Sequence, residues 1–221
     1  DCNKLVKTDR TTWGPCMVSC GDADPMVTGN TRHYAATVEK LMMAVGPREN
    51  ETVFGMCIFV NQGKTTIIAD TNVIEYPTSE ELAEMAISSS RVARLLGLDP
   101  KVAFLSHSTF GQPETDRTKR VAKAVEILKQ KEVDFIFDGE MQPDVALNAK
   151  YKSTYPFSKL VGNANILLMP SIHAAAISIK LLKELSRGKV IGPLLIGPGR
   201  QIVVSALRSR IYEFLNLLSV A

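Results

Sequence analysis

Long apolar runs are missing. No stretch of about 18 consecutive apolar residues occurs, so nothing in the chain reads as a membrane-spanning helix. The opening DCNKLVKTDRTTWG also lacks the apolar centre of a signal peptide. A strong excess of either charge is missing too. The 26 Lys and Arg residues face 23 Asp and Glu, leaving +3, too even a balance to argue for nucleic acid or a membrane surface. Cysteine and histidine are sparse. Cys16 and Cys20 lie four apart, but with Cys2 and Cys57 alone elsewhere and His33, His107 and His173 scattered, the set makes no zinc site. Reduced, mostly buried thiols in a cytoplasmic protein, with no metal, are the expectation.

Signature loops are lacking as well. No G-x-G-x-x-G follows a first strand, and there is no G-x-x-x-x-G-K-[ST], so the chain advertises neither a nicotinamide nor an ATP site of its own. No G-x-S-x-G elbow is present. Ser106 and His107 are adjacent, yet neighbouring strand side chains point to opposite faces and cannot share a triad hydrogen bond. There is no internal repeat and no low-complexity tract.

What is there is a 221-residue globular chain, 45% apolar and 22% charged, long enough for one large or two small domains. Its organising stretch is KVAFLSHSTFG, Lys101–Gly111. Val102 to Leu105 form a short apolar run suited to a parallel strand buried on both faces. Ser106, Ser108, Thr109 and Gly111 follow at once, ahead of a helix over Arg117–Lys131. In open α/β sheets ligands bind at strand carboxyl ends beside helix N-termini. The stretch therefore reads either as an anion site or as an ordinary turn with polar capping.

The other elements follow from spacing. CMVSC (Cys16–Cys20) reads as a short strand and GDADPMVTG as a loop. Thr31–Val45 reads as a helix with Tyr34, Val38, Leu41 and Val45 on one stripe. Val53–Val60 and Lys64–Ala69 form a hairpin about Asn61-Gln62-Gly63. Thr78 opens a helix with Glu81 placed for a capping box; Leu82, Met85, Ala86, Ser89, Ala93 and Leu96 trace its face, and Gly97 closes it. DFIF (Asp134–Phe137) is a strand carrying Asp138-Gly139-Glu140 at its carboxyl end, a carboxylate pair where sites gather. The long irregular Met141–Gly162 reads as functional or interfacial. Ala164–Met169 is a strand, and Ser171 caps a helix with Ile172, Ala175, Ile179 and Leu182 inward. Lys189–Ile196 is a strand, and Leu207, Ile211, Phe214, Leu215 and Leu218 give a final helix face. The alternation predicts a three-layer α/β/α protein with a mixed, mostly parallel sheet.

Taken in order, DADPMVTG, IADTNV, ELAEMA, SHSTFG, VDFIFDGEMQPDVALN, YPFSKLVGNANILLMP and IGPLLIG resemble the phosphate acetyl/butyryl transferase family along nearly the whole chain. They are closer still to the C-terminal transferase-like module of bacterial multimodular NADP-dependent malic enzymes. The resemblance implies an isocitrate dehydrogenase-like architecture and two lobes, the inner about 70–190. It also implies that residues upstream of Asp1 are missing, including a malate-oxidising part that would hold NADP and a divalent metal.

Working transferases join acetyl phosphate and coenzyme A, using a carboxylate base and arginines on the acyl phosphate. Where the family carries Arg-Pro this chain has Val38-Glu39-Lys40, and where it carries Ser-Arg this chain has Ala206-Leu207. Asn163 stands in place of a lysine. Losing one such donor typically costs about two to three orders of magnitude in rate. The expectation is therefore a regulatory and oligomerisation module that binds acetyl-coenzyme A or a related acyl ligand without turnover. It has no catalytic residues and no cofactor of its own, and it self-associates. Ser106, Ser108, Thr109 and Gly111 would line the phosphate or pantetheine end, Asp138 and Glu140 would face it, and Gly192, Pro193 and Gly197 would let the ligand approach the backbone. An active transferase with relocated Arg32, Arg200 or Arg210, and a purely structural module, are the alternatives.

Overall fold

The computed structural model describes residues 2–207 and 209–220. The chain forms two compact units, one of residues 1–56 and 191–221, the other of residues 57–190.

The first unit opens with α1 (Cys2–Thr8) and α2 (Arg10–Cys20). The strand expected at Cys16–Cys20 is thus the last part of a helix. Asp9 accepts from Thr11 N at 3.1 Å and caps α2, while Gly21 ends it in the left-handed region at φ 86°. Pro15 lies inside this helix. Within the expected GDADPMVTG loop lies a short strand, β1 (Met26–Gly29). In α3 (Tyr34–Val45) Val38 and Leu41 are buried, whereas Tyr34 and Val45 are only half-buried.

The hairpin is present. Strands β2 (Phe54–Asn61) and β3 (Lys64–Ala69) are joined by Gln62 and Gly63 at φ 50° and 73°, the positive values that a two-residue hairpin turn needs. Thr78 caps α4 (Ser79–Leu95) with both hydrogen bonds of the box: Glu81 N to its hydroxyl at 3.1 Å, and Thr78 N to the Glu81 carboxylate at 2.7 Å. The expected face of α4 is buried except for Leu96, which is exposed beyond the helix end. Then come β4 (Lys101–Leu105), α5 (Asp116–Gln130), β5 (Ile136–Met141), the short α6 (Pro143–Leu147), a 3-10 turn (Ala149–Ser153), β6 (Ile166–Leu168) and α7 (Ile172–Leu185). Strand β5 begins two residues later than DFIF suggests and runs through Asp138-Gly139-Glu140 instead of stopping before it.

The remaining elements are β7 (Lys189–Ile196), β8 (Ile202–Ser205) and α8 (Ile211–Val220). Strand β8 pairs in parallel with β1 in a two-stranded sheet. The larger sheet has the order β5-β4-β6-β3-β2-β7, with β5, β4, β6 and β3 mutually parallel. Val102, Ala103, Phe104 and Leu105 are all buried, as a strand covered on both faces requires. Helices α4 and α5 pack together and against one face of this sheet. On the other, Ala103, Leu105 and Ile68 join Met141, Ala146 of α6 and Ala175 of α7 in one core cluster. Layering is therefore α/β/α in this unit, a mixed fold with a mostly parallel sheet.

The expected stripe of α7 faces the core cluster, whereas that of α8 is displaced. On α7 only Ala175 is buried; Ile179 and Leu182 are half-buried against the cluster, and Ile177, Leu181 and Leu185 are exposed. On α8 it is Leu217 that is buried, while Ile211, Leu215 and Leu218 are exposed. In α8, apolar on two sides, spacing does not reveal which side is covered. Among the described cysteines, Cys57 is buried, Cys16 half-buried and Cys20 exposed, so "mostly buried" holds for one thiol alone. Burial pushes the Cys57 thiol up to about 11. No helix among the described residues is long and apolar enough to cross a membrane, and no group of three or more His, Cys, Asp or Glu could hold a metal.

Candidate functional site

Strand β4 delivers its last apolar residue, Leu105, to the carboxyl edge of the sheet, and the hydroxyl loop begins there. Ser106 and Ser108 turn inward and are buried, Ser108 completely. Ser108 Oγ donates to the Glu140 carboxylate at 2.9 Å and lies 3.0 Å from Ser106 Oγ. The loop then reverses through Phe110 and Gly111, at φ 49° and 91°, with Thr109 N donating to Gln112 O at 2.9 Å. Two positive φ values make this a tight mirror-type turn. Phenylalanine is unusual at such a position and costs about 1–2 kcal/mol there.

Glu140 holds that turn. Its carboxylate also accepts from Gly111 N at 2.7 Å, and its backbone oxygen accepts from Phe110 N at 2.8 Å. The side chain reaches the loop because β5 bulges: Phe104 pairs with Gly139 and Leu105 with Met141, leaving Glu140 as the extra residue. Gly139, at φ 149°, is required at that bulge, since a Cβ would stand 2.8 Å from Phe104 Cβ and from its carbonyl oxygen. Asp138 serves a different loop. Its carboxylate accepts from Ser158 Oγ and Lys159 N, both at 2.7 Å. At the end of β3 the buried Asp70 likewise accepts from the backbone N–H groups of Asn72 and Val73 at 2.8 and 3.2 Å. Three carboxylates at strand carboxyl ends are each committed to ordering a loop.

Ser106, Ser108, Thr109, Gly111, Asp138 and Glu140 are therefore brought to one edge of one sheet, with Asp138 turned to the Ser158 side. His107 is exposed, and Thr109, Phe110 and Gly111 are half-buried, so these are the loop members with surface to offer. The Phe110 ring meets Tyr155 at a tilt and Phe157 edge to face, ring centroids 5.4 and 4.9 Å away, and Phe157 is 66% exposed. A shallow recess of about 290 Å³, counting its open mouth, lies along Val145, Tyr151, Tyr155 and Leu160. Spacing alone singled out neither the aromatic trio nor Ser158; the only signal was their place in SHSTFG (Phe110) and YPFSKL (Tyr155, Phe157 and Ser158). The edge can offer hydroxyls, backbone N–H groups and ring faces, and its loop contributes no Lys or Arg.

Gly192, Pro193 and Gly197 belong to the other unit or its boundary strand. Gly192 and Pro193 lie within β7, and Gly197 follows it. A Cβ on Gly197 would meet Thr52 O at 2.5 Å, so this glycine serves a close backbone approach within its own unit. The arginines offered for a relocated transferase centre also sit in that unit, and each has a local partner. Arg32 lies 3.6 Å from Asp9, Arg200 donates to Ser19 O at 3.5 Å, and Arg210 Nη1 donates to Tyr212 Oη at 3.5 Å. Lys40, within the Val38-Glu39-Lys40 stretch, donates to Asp9. That hydrogen bond is the main reason Asp9 is held down at about 2.

A family model described as phosphate acetyl/butaryl transferase matches residues 1–213. The chain belongs to that family. It is 44% identical to an NADP-dependent malic enzyme of Rhizobium meliloti, over all of this chain and 29% of that protein. It is 33% identical to a phosphate acetyltransferase of Bacillus subtilis, over 86% of this chain and 59% of that one. Among solved structures, a phosphotransacetylase from Streptococcus pyogenes superimposes with a TM-score of 0.88 at 27% identity, covering 95% of this chain and 65% of that one. The chain thus spans under a third of the malic enzyme and about three fifths of the transferase.

Proposed function

We propose that this chain is the transferase-like module of an NADP-dependent malic enzyme, holding acetyl-coenzyme A or a related acyl ligand without transferring the acyl group. The observation that carries this reading is the commitment of Glu140. A carboxylate bonded to Ser108 Oγ and Gly111 N is placed to order a loop, not to take a proton from a thiol. The loop's accessible part, His107 and Thr109 to Gly111 with the Tyr155 and Phe157 rings beside Phe110, contributes no Lys or Arg and suits a pantetheine chain or an acyl group better than an acyl phosphate, whose charge calls for cations. The 44% identity to a malic enzyme supports the malic-enzyme setting. In that setting the ligand would act as an effector of malate decarboxylation elsewhere in a cytoplasmic protein, a coupling between two sites. The exposed Ile177, Leu181 and Leu185 of α7 support self-association.

A second reading, an active phosphate acyltransferase, is favoured by the 33% identity to a phosphate acetyltransferase. Calorimetry with acetyl-coenzyme A, paired with an assay of thiol loss in acetyl phosphate and coenzyme A, separates the two. Saturable heat with no thiol loss supports the effector module. Sustained thiol loss establishes the transferase. Neither heat nor thiol loss leaves a structural module with a vestigial site.

A further inference from the structure

A second group of side chains at the strand carboxyl ends stands apart from the hydroxyl loop. Tyr76 follows β3, and two guanidinium groups from the first turns of α5 lie over its ring. Arg117 is 5.7 Å and Arg120 6.0 Å from the ring centroid. Among the described residues neither has a carboxylate within ion-pair reach. Arg120 donates to Pro170 O at 2.7 Å, while its Nε is buried with no partner. Pro170 immediately precedes Ser171, the cap of α7, so positive ends of two helices and two arginines converge there. Glu75, next to Tyr76, is engaged with His173 at 3.2 Å, and Asp116 of the first turn of α5 makes no ion pair with either arginine among the described residues.

Like charges held together beside two helix N-termini are unfavourable unless something neutralises them. Burial and Arg117 together already lower the pKa of Arg120. Arginines spent on stability normally meet a carboxylate, as Arg94 meets Asp134 at 2.8 Å on this same unit. We propose that Arg117 and Arg120, set against Tyr76 and the start of α7, form a binding site for a phosphate dianion. The guanidinium forks of Arg117 and Arg120 match phosphate oxygens, and the Arg120 Nε–H, buried without a partner, reports the charge placed beside them. The site is independent of acyl-ligand binding at the hydroxyl loop. Its ligand is either free phosphate or a phosphate monoester.

The test uses the intact protein. Arginine Nε–H resonances and calorimetry are followed while inorganic phosphate, and separately adenosine monophosphate, is added at constant ionic strength. The Arg120 signal should shift saturably with phosphate. Arg117→Gln, an exposed position that leaves folding intact, should weaken binding about tenfold. Tighter binding of the nucleotide assigns the site to an ester; equal binding assigns it to free phosphate. The proposal is overturned if chloride at matched ionic strength produces the same shift, if millimolar phosphate produces none, or if Arg117→Gln binds as the parent does.

Discussion

Glu140 accepts from Ser108 Oγ, wholly buried, and from Gly111 N, partly so. Removing the carboxylate strands both donors. Glu140→Ala should therefore lower unfolding stability by about 2–4 kcal/mol, read from the urea midpoint, because each stranded donor costs about 1–3 kcal/mol. Thr109→Ala removes only the acceptor for Gln142 N, at 3.2 Å on the exposed side, and should cost under about 1 kcal/mol. Equal losses would contradict the anchoring role. Asp9 supplies a pH signature. Its carboxyl is held at about 2 against an ordinary 3.8, first through Lys40 and then through Thr11 N. A depressed folded value means the stabilisation is fully present above 3.8 and disappears as pH falls through about 2. Carboxyl carbon NMR should place Asp9 near 2, and Lys40→Met should return it toward 3.8; an unchanged value would remove Lys40 from the cause.

At the scale of elements, local chemistry was legible wherever it acts over a few residues. Thr78 and Glu81 announce the start of α4, and Thr78→Ala should cost about 1 kcal/mol with α4 fraying first in hydrogen exchange. No loss would mean that packing alone fixes that end. The run Val102–Leu105 declares a buried strand by being apolar on both faces. Distance defeats the same reasoning. Strands β1 and β8 come from opposite ends of the chain, and neither carries alternation long enough to be seen before they pair. The bulge in β5 was invisible because two-against-one pairing is a property of two strands; Gly139 was its only trace. Asp138 and Glu140 were legible as a carboxylate pair at a sheet edge. That they serve two different loops, and are consumed in doing so, depends on where Ser158 and Gly111 are brought by the fold. Arg117 and Arg120 are two of several cations along α5, and only the placement of Tyr76 beside them sets the pair apart.

For the molecule as a whole, family membership rests on a match over residues 1–213, and the fold is shared with phosphotransacetylases. The hydroxyl loop is held by a carboxylate and flanked by aromatic rings, while Arg32 and Lys40 are engaged with Asp9 in the other unit. The account predicts retention of an acyl thioester without transfer. Equilibrium dialysis of acetyl-labelled coenzyme A, with arsenate present so that any transferred acetyl ends as free acetate, measures both halves of that claim in one sample. Label held by the protein and recovered as intact thioester is the expected result. Label released as acetate above the protein-free rate, or no label held at all, would contradict it.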